Sequence, residues 1–250
     1  MNKRLVLACL ESVFLFVCSS LHAATFYMAS DGHDSTGDGS VSNPWNTLQK
    51  AFSQMQGGDT LIIKSGVYQG ATNAISIVNR PPAGNSNQWT VIKAEVDGEV
   101  VFDGNGSQDL FNAQFIAQSN LYWQFEGLTW KRTPNSNVLL TYSWFVKFLR
   151  CSAYDAGPGN CSNFNIGRQC GMCLFENCFA YGSGRYKFST YQSRWCIVRQ
   201  CVGRLDWVNA GGEPIGGFSI YSCYQCKVQN CIQIDSDHPG SWSNVGQYAG

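Results

Sequence analysis

Cys173-Leu174-Phe175-Glu176-Asn177-Cys178, Cys196-Ile197-Val198-Arg199-Gln200-Cys201 and Cys226-Lys227-Val228-Gln229-Asn230-Cys231 are three copies of one pattern, Cys-x4-Cys with an apolar residue two positions after the first cysteine. Phe188-Ser189-Thr190-Tyr191 and Phe218-Ser219-Ile220-Tyr221 each begin eight residues before a first cysteine. Val146, Phe148 and Cys151, and before them Trp123, Phe125 and Leu128, fill the same three slots in weaker form. Successive copies lie 23, 27, 23 and 30 residues apart, so the repeat is one of stacked units whose insertions fall in loops. Within each copy the apolar residues alternate, the period of short strands rather than helix. The slot between the paired strands holds Gly127, Arg150, Asn177, Gln200 and Asn230, where Gly and Asn suit the left-handed conformation of a sharp bend. A leucine ladder, which a leucine-rich repeat needs, is absent. The pattern predicts an all-β fold, a right-handed single-stranded parallel β-helix.

Outward from this repeat, residues 1–23 read as a secretory signal peptide: Lys3 and Arg4, an apolar stretch from Leu5 to Val17, then Leu21-His22-Ala23. The expected location is secreted or periplasmic, and the apolar run is too short for a stable membrane span. Removing it takes Lys3, Arg4 and Glu11 from a 17/17 balance and leaves 15 basic and 16 acidic residues. A near-neutral chain offers no electrostatic case for nucleic acid as a partner. Residues 24–250 form one domain, expected to be monomeric, with no linker dividing it. Leu48, Ala51, Phe52 and Met55 share one helical face, and Gly57-Gly58 end the run. A short helix over 47–56 is therefore expected to cap the N-terminal end of the solenoid.

Tyr27-Met28-Ala29-Ser30-Asp31-Gly32, the stretch from Asn43-Pro44-Trp45 to Ala51, and Gly58-Asp59-Thr60 through Val67-Tyr68 resemble the N-terminal signature of pectate-lyase-like right-handed β-helix proteins. Trp89 to Ala94, Val101 to Gly104 and Trp123 to Leu128 extend the resemblance along essentially the whole mature chain. It implies the fold and a polysaccharide as substrate or ligand. Secreted lyases, glycoside hydrolases and adhesins share the fold, so activity has to be argued from a site. The Asn-Thr-Asp, Gly-His-Gly and Arg-Ile-Lys motifs of polygalacturonases are absent.

Chemistry is concentrated at Gly182-Ser183-Gly184-Arg185-Tyr186-Lys187-Phe188-Ser189-Thr190-Tyr191. With Phe188 and Thr190 inward, alternation turns Lys187, Ser189 and Tyr191 outward together with Arg185, and the next rung adds Ser219 and Tyr221. Tyrosines stack on sugar rings, and Arg185, Lys187 and the nearby Arg204 suit uronate carboxylates. In the lyases that the chain resembles, a Lys or Arg base abstracts the C5 proton while calcium or a basic residue neutralises the carboxylate. The resemblance thus implies Lys187 or Arg185 as base in β-elimination, with Tyr191 beside them; a Lys base needs a pKa well below about 10.4. Asp206, Asp235 and Asp237 are the candidate calcium ligands. Asp235-Ser236-Asp237-His238-Pro239-Gly240 also reads as a plain turn, and Asp31, Asp34 and Asp38 as solvated turn residues. Two carboxylates on neighbouring rungs would instead indicate a glycoside hydrolase. A uniform polar face would indicate a non-catalytic, adhesin-like β-helix.

Cys170-x2-Cys173 and Cys223-x2-Cys226 have zinc-site spacing, but Ser193 takes the equivalent slot between them and each second cysteine belongs to the repeat. Rungs about 4.8 Å apart also exceed the Cβ separation of about 3.8 Å of a disulfide. The repeat cysteines are expected to be free, buried thiols. Cys161, outside the register, is the candidate for a surface pair with Cys151 or Cys170. Gly246 to Gly250 reads as the approach to a further strand, so further rungs are expected beyond it.

Overall fold

Phe125, Phe148, Phe175, Val198 and Val228, aligned above by sequence slot, lie side by side in one parallel ladder. The computed structural model describes residues 23–205 and 215–234, and in it the repeat is a right-handed parallel β-helix. Residues 1–22 of the expected signal segment 1–23, and the acidic candidates Asp206, Asp235 and Asp237, lie outside the described residues.

Nineteen described strands form a twelve-stranded and a seven-stranded sheet. The larger sheet is folded along a corner. The long strand Val138–Leu149 pairs with Ser162–Ile166 on one side of that corner and with Leu174–Glu176 on the other, so the solenoid has three faces. The slot Gly127, Arg150, Asn177, Gln200 and Asn230 has φ of 66°, 54°, 53°, 53° and 51°, the left-handed bend that its composition predicts. At Gly127 a Cβ would also lie 2.1 Å from Asp97 Oδ1, so only glycine fits there.

Interior positions are filled by stacked like residues. Phe125 and Phe148, Phe164 and Phe188, and Phe188 and Phe218 have ring centroids 5.1, 5.2 and 5.3 Å apart, because parallel in-register pairing puts equivalent side chains on successive rungs. Cys178 and Cys201 are fully buried in register, and Cys231 is half-buried on the last described rung. All ten described cysteines are free thiols. Cys161 does not form the expected pair: Cys151 is turned inward, its Sγ 3.5 Å from the Phe125 carbonyl, and Cys170 is buried.

The helix Leu48–Gln54 buries Leu48, Ala51 and Phe52 over the first rung, in which Thr25–Met28 pairs with Thr60–Ile63. Thr47 caps it by accepting from Lys50 N. Asp34 in turn accepts from the Asn46 and Thr47 amides at 2.8 and 3.0 Å, so its carboxylate is committed to the turn entering the helix. Among the described residues no helix is long and apolar enough to cross a membrane.

Candidate functional site

Phe188 and Thr190 on strand Tyr186–Tyr191 point into the core, and Ser189 and Tyr191 therefore face outward. The next strand, Gly216–Tyr221, repeats the arrangement in exact pairing: Ser189 with Ser219 and Tyr191 with Tyr221. The two tyrosine rings stack at 5.5 Å and 11°. With Arg185, these side chains border a groove of about 650 Å³ on one face of the larger sheet. The expected cluster of Arg185, Ser189, Tyr191, Ser219 and Tyr221 is thus brought together.

Lys187 is not part of it. Its side chain is fully buried, and its Nζ donates to the Gly182 carbonyl and lies 3.4 Å from that of Gly184. Alternation fails here because Lys187 and Phe188 both turn inward at the edge of the face. Pairing of Phe164 with Val138 and with Phe188 aligns Asn137, Asn163 and Lys187 on three successive rungs. Asn137 Nδ2 donates to Tyr154 O at 2.9 Å and Asn163 Nδ2 to Tyr181 O at 3.2 Å, so Lys187 extends an interior row of donors to carbonyls at the third face. Gly203 makes room for it, since a Cβ there would stand 3.3 Å from Lys187 Cβ. A buried ammonium tied to carbonyls is a structural tether and cannot reach a substrate in the groove. Arg204 is also elsewhere: it ends strand Val202–Arg204 of the smaller sheet, on a different face from the groove.

The groove contains residues that the sequence reading missed. Arg168 and Asn165 come from the rung before Arg185, and Thr141 and Gln114 from the rungs before that. Asn165 Oδ1 is buried with no hydrogen-bond partner. The signal for them was present, since Phe164-Asn165-Ile166 has the inward–outward–inward pattern of Phe188-Ser189-Thr190, with which it pairs. Arg185 donates to Asn160 Oδ1 and lies 4.7 Å from the Tyr186 ring centroid, which orients its guanidinium along the groove wall. The described lining holds two arginines and no carboxylate.

Among the described residues no group of three or more His, Cys, Asp or Glu is placed to hold a metal. The described lining offers guanidiniums, phenols, hydroxyls and amides, the calcium candidates Asp206, Asp235 and Asp237 lie outside the described residues, and no step below uses the metal. Burial pushes the Cys178 thiol well up, aided by its contact with Cys151 and opposed by that with Cys201, and Cys226 is pushed up to about 11 chiefly by its contact with Cys196.

Solved structures that share this architecture include three polysaccharide lyases. The pectate lyase Pel9A matches with a TM-score of 0.58 at 14% identity, over 83% of this chain and 62% of that one. A rhamnogalacturonan lyase matches with a TM-score of 0.53 at 16% identity, over 84% of this chain and 68% of that one. An alginate lyase from Paenibacillus sp. str. FPU-7 matches with a TM-score of 0.54 at 13% identity, over 84% and 76%. The chain thus spans 62% of the length of the Pel9A structure, and at these identities the likeness is one of fold. No curated protein matches the sequence. The family described as Pel9A-like, right handed beta helix region, matches residues 26–184, and the chain belongs to that family.

Proposed function

We propose that this is an exported protein whose groove binds an acidic, uronate-containing polysaccharide and cleaves it by β-elimination. The observation supporting the reading is the charge of the groove: Arg168 and Arg185 stand on adjacent rungs with no carboxylate among the described lining residues. Such a surface favours an anionic chain, and its described residues include no carboxylate pair of the kind glycoside hydrolysis uses. In this scheme the guanidiniums neutralise the uronate carboxylate and make the C5 proton more acidic. The stacked Tyr191–Tyr221 pair supports the sugar rings, and Asn165 and Ser189 meet hydroxyl groups. The Tyr191 oxygen accepts the C5 proton, the released pair forms the C4–C5 double bond as the bond from C4 to the glycosidic oxygen breaks, and the leaving oxygen takes up that proton from the Tyr191 hydroxyl.

A second reading, glycan binding without cleavage, draws support from the burial of Lys187, which removes the strongest candidate base from the groove. The test incubates the protein with pectate, alginate and glycosaminoglycans, with and without calcium, following the ultraviolet absorbance of unsaturated uronate and, separately, binding by calorimetry. Arg168→Ala and Arg185→Ala should each weaken polyuronate binding about tenfold or more, and Tyr191→Phe should slow product formation more than it weakens binding. Binding without absorbance selects the second reading. Affinity for polyuronate unchanged in both arginine variants overturns the groove assignment.

A further inference from the structure

The corner that separates the groove from the adjoining face of the larger sheet carries an uninterrupted row of aromatic side chains. Trp89 meets Tyr122 at 5.5 Å, Tyr122 stacks on Phe145 at 4.5 Å and 4°, and Phe145 meets Trp144 at 6.2 Å. Trp144 meets Trp195 at 5.9 Å, and Trp195 meets Tyr224 at 5.9 Å. Trp144 reaches Trp195 over Gly171, which lies between Trp144 and Arg194 in the ladder; a Cβ there would stand 2.6 Å from the Trp144 ring. None of the six lines the groove.

Backbone geometry adds an independent observation. Tyr122, Phe145, Met172 and Trp195 occupy equivalent corner positions on four rungs, with φ of 50°, 61°, 52° and 53°. Bulky residues rarely adopt this conformation; the corner slot described above holds Gly127, Arg150, Asn177, Gln200 and Asn230, none of them aromatic, whereas only Gln225 on the next rung makes this one polar. Here it places three aromatic residues and a methionine on left-handed backbone at the surface, Met172 being 45% exposed, and the neighbouring Tyr224 is 58% exposed. Packing alone does not require that. Gln169, Gln192 and Arg194 rim a hollow of about 580 Å³ between Trp195 and Tyr224, so the row has a polar edge.

We propose that this aromatic row is a second polysaccharide-binding surface, which holds an extended pyranose chain parallel to the solenoid axis. Rungs repeat at about 4.8 Å, close to the length of one pyranose residue, and the Trp144, Trp195 and Tyr224 rings, which meet edge to face rather than covering one another, are placed to meet sugars along the chain while the rim amides take their hydroxyls. With mostly neutral groups at its edge, the surface is set for the apolar faces of sugars rather than for their charge, and its ligands include neutral chains.

The test uses Trp195→Asn combined with Tyr224→Ser, and Met172→Asn as a milder variant. Asparagine suits the left-handed backbone, so Trp195→Asn should fold normally, and the melting temperature checks this. Affinity electrophoresis in gels containing neutral polysaccharides (galactan, xylan, β-glucan) or polyuronate, with calorimetry on short oligouronides, reads the two surfaces separately. Retardation by at least one polymer that drops about tenfold in the double variant, with oligouronide binding unchanged, supports the proposal. Wild-type retardation of the double variant in every gel, or no retardation of the wild type in any, overturns it, as does equal loss of polymer and oligouronide binding. Failure of the groove reading would appear instead in Arg168→Ala and Arg185→Ala, which leave the corner row intact.

Discussion

Lys187 and Arg185 stand two positions apart on the same segment, yet one is an interior tether and the other a groove wall. The difference lies in what each replaces. Lys187 follows Asn137 and Asn163 in an inward row of donors, whereas Arg185 is held over Tyr186 beside Asn160. Lys187→Met should therefore cost stability, by roughly 2–4 kcal/mol, because the carbonyls of Gly182 and Gly184 lose a charged donor. Arg185→Ala should stay within about 1 kcal/mol of wild type in the same urea titration. Equal unfolding midpoints for Lys187→Met and wild type would show that the tether carries no stability.

At the scale of the element, each rung contributes one residue to each of several ladders, so cysteines that repeat in sequence must stack in space. Cys151, Cys178 and Cys201 share one ladder, and Cys173 and Cys196 another. Burial raises the pKa values of Cys173 and Cys178, and contact with those two thiols raises those of Cys196 and Cys201, so their reactive thiolates are scarce near neutral pH. Alkylation of the folded protein should reach Cys161, Cys223 and Cys226 first. Cys151, Cys170, Cys173, Cys178, Cys196 and Cys201 should be modified only after denaturation, as read by peptide mass spectrometry. Modification of Cys178 or Cys201 at the rate of Cys161 in native buffer would contradict the buried-ladder arrangement.

Across the whole molecule, stability is propagated from rung to rung, and the N-terminal helix closes one end of that chain of contacts. Leu48→Ala removes a side chain with no exposure and should cost about 2–5 kcal/mol. Hydrogen exchange should then rise first in Thr25–Met28 and Thr60–Ile63, and least in Tyr186–Tyr191. Uniform acceleration along the solenoid would show instead that the rungs unfold as one unit.

Much of the fold was legible in the sequence because a solenoid writes its three-dimensional neighbours as a linear period. The slot of Phe125, Phe148, Phe175, Val198 and Val228 became a physical ladder, and the slot from Gly127 to Asn230 became a left-handed corner. Residues with strict period two, such as Ser189, Tyr191, Ser219 and Tyr221, were placed on the correct face for the same reason. Tertiary structure alone decided where the period breaks. At Lys187 two consecutive residues turn inward at the edge of a face, and only the neighbouring rungs, with Asn163 on one side and the gap left by Gly203 on the other, make that interior site hospitable to an ammonium group. Strand period identifies the side of a strand, whereas the bend between faces depends on contacts from residues 16 to 24 positions away in the chain, which the local sequence does not encode.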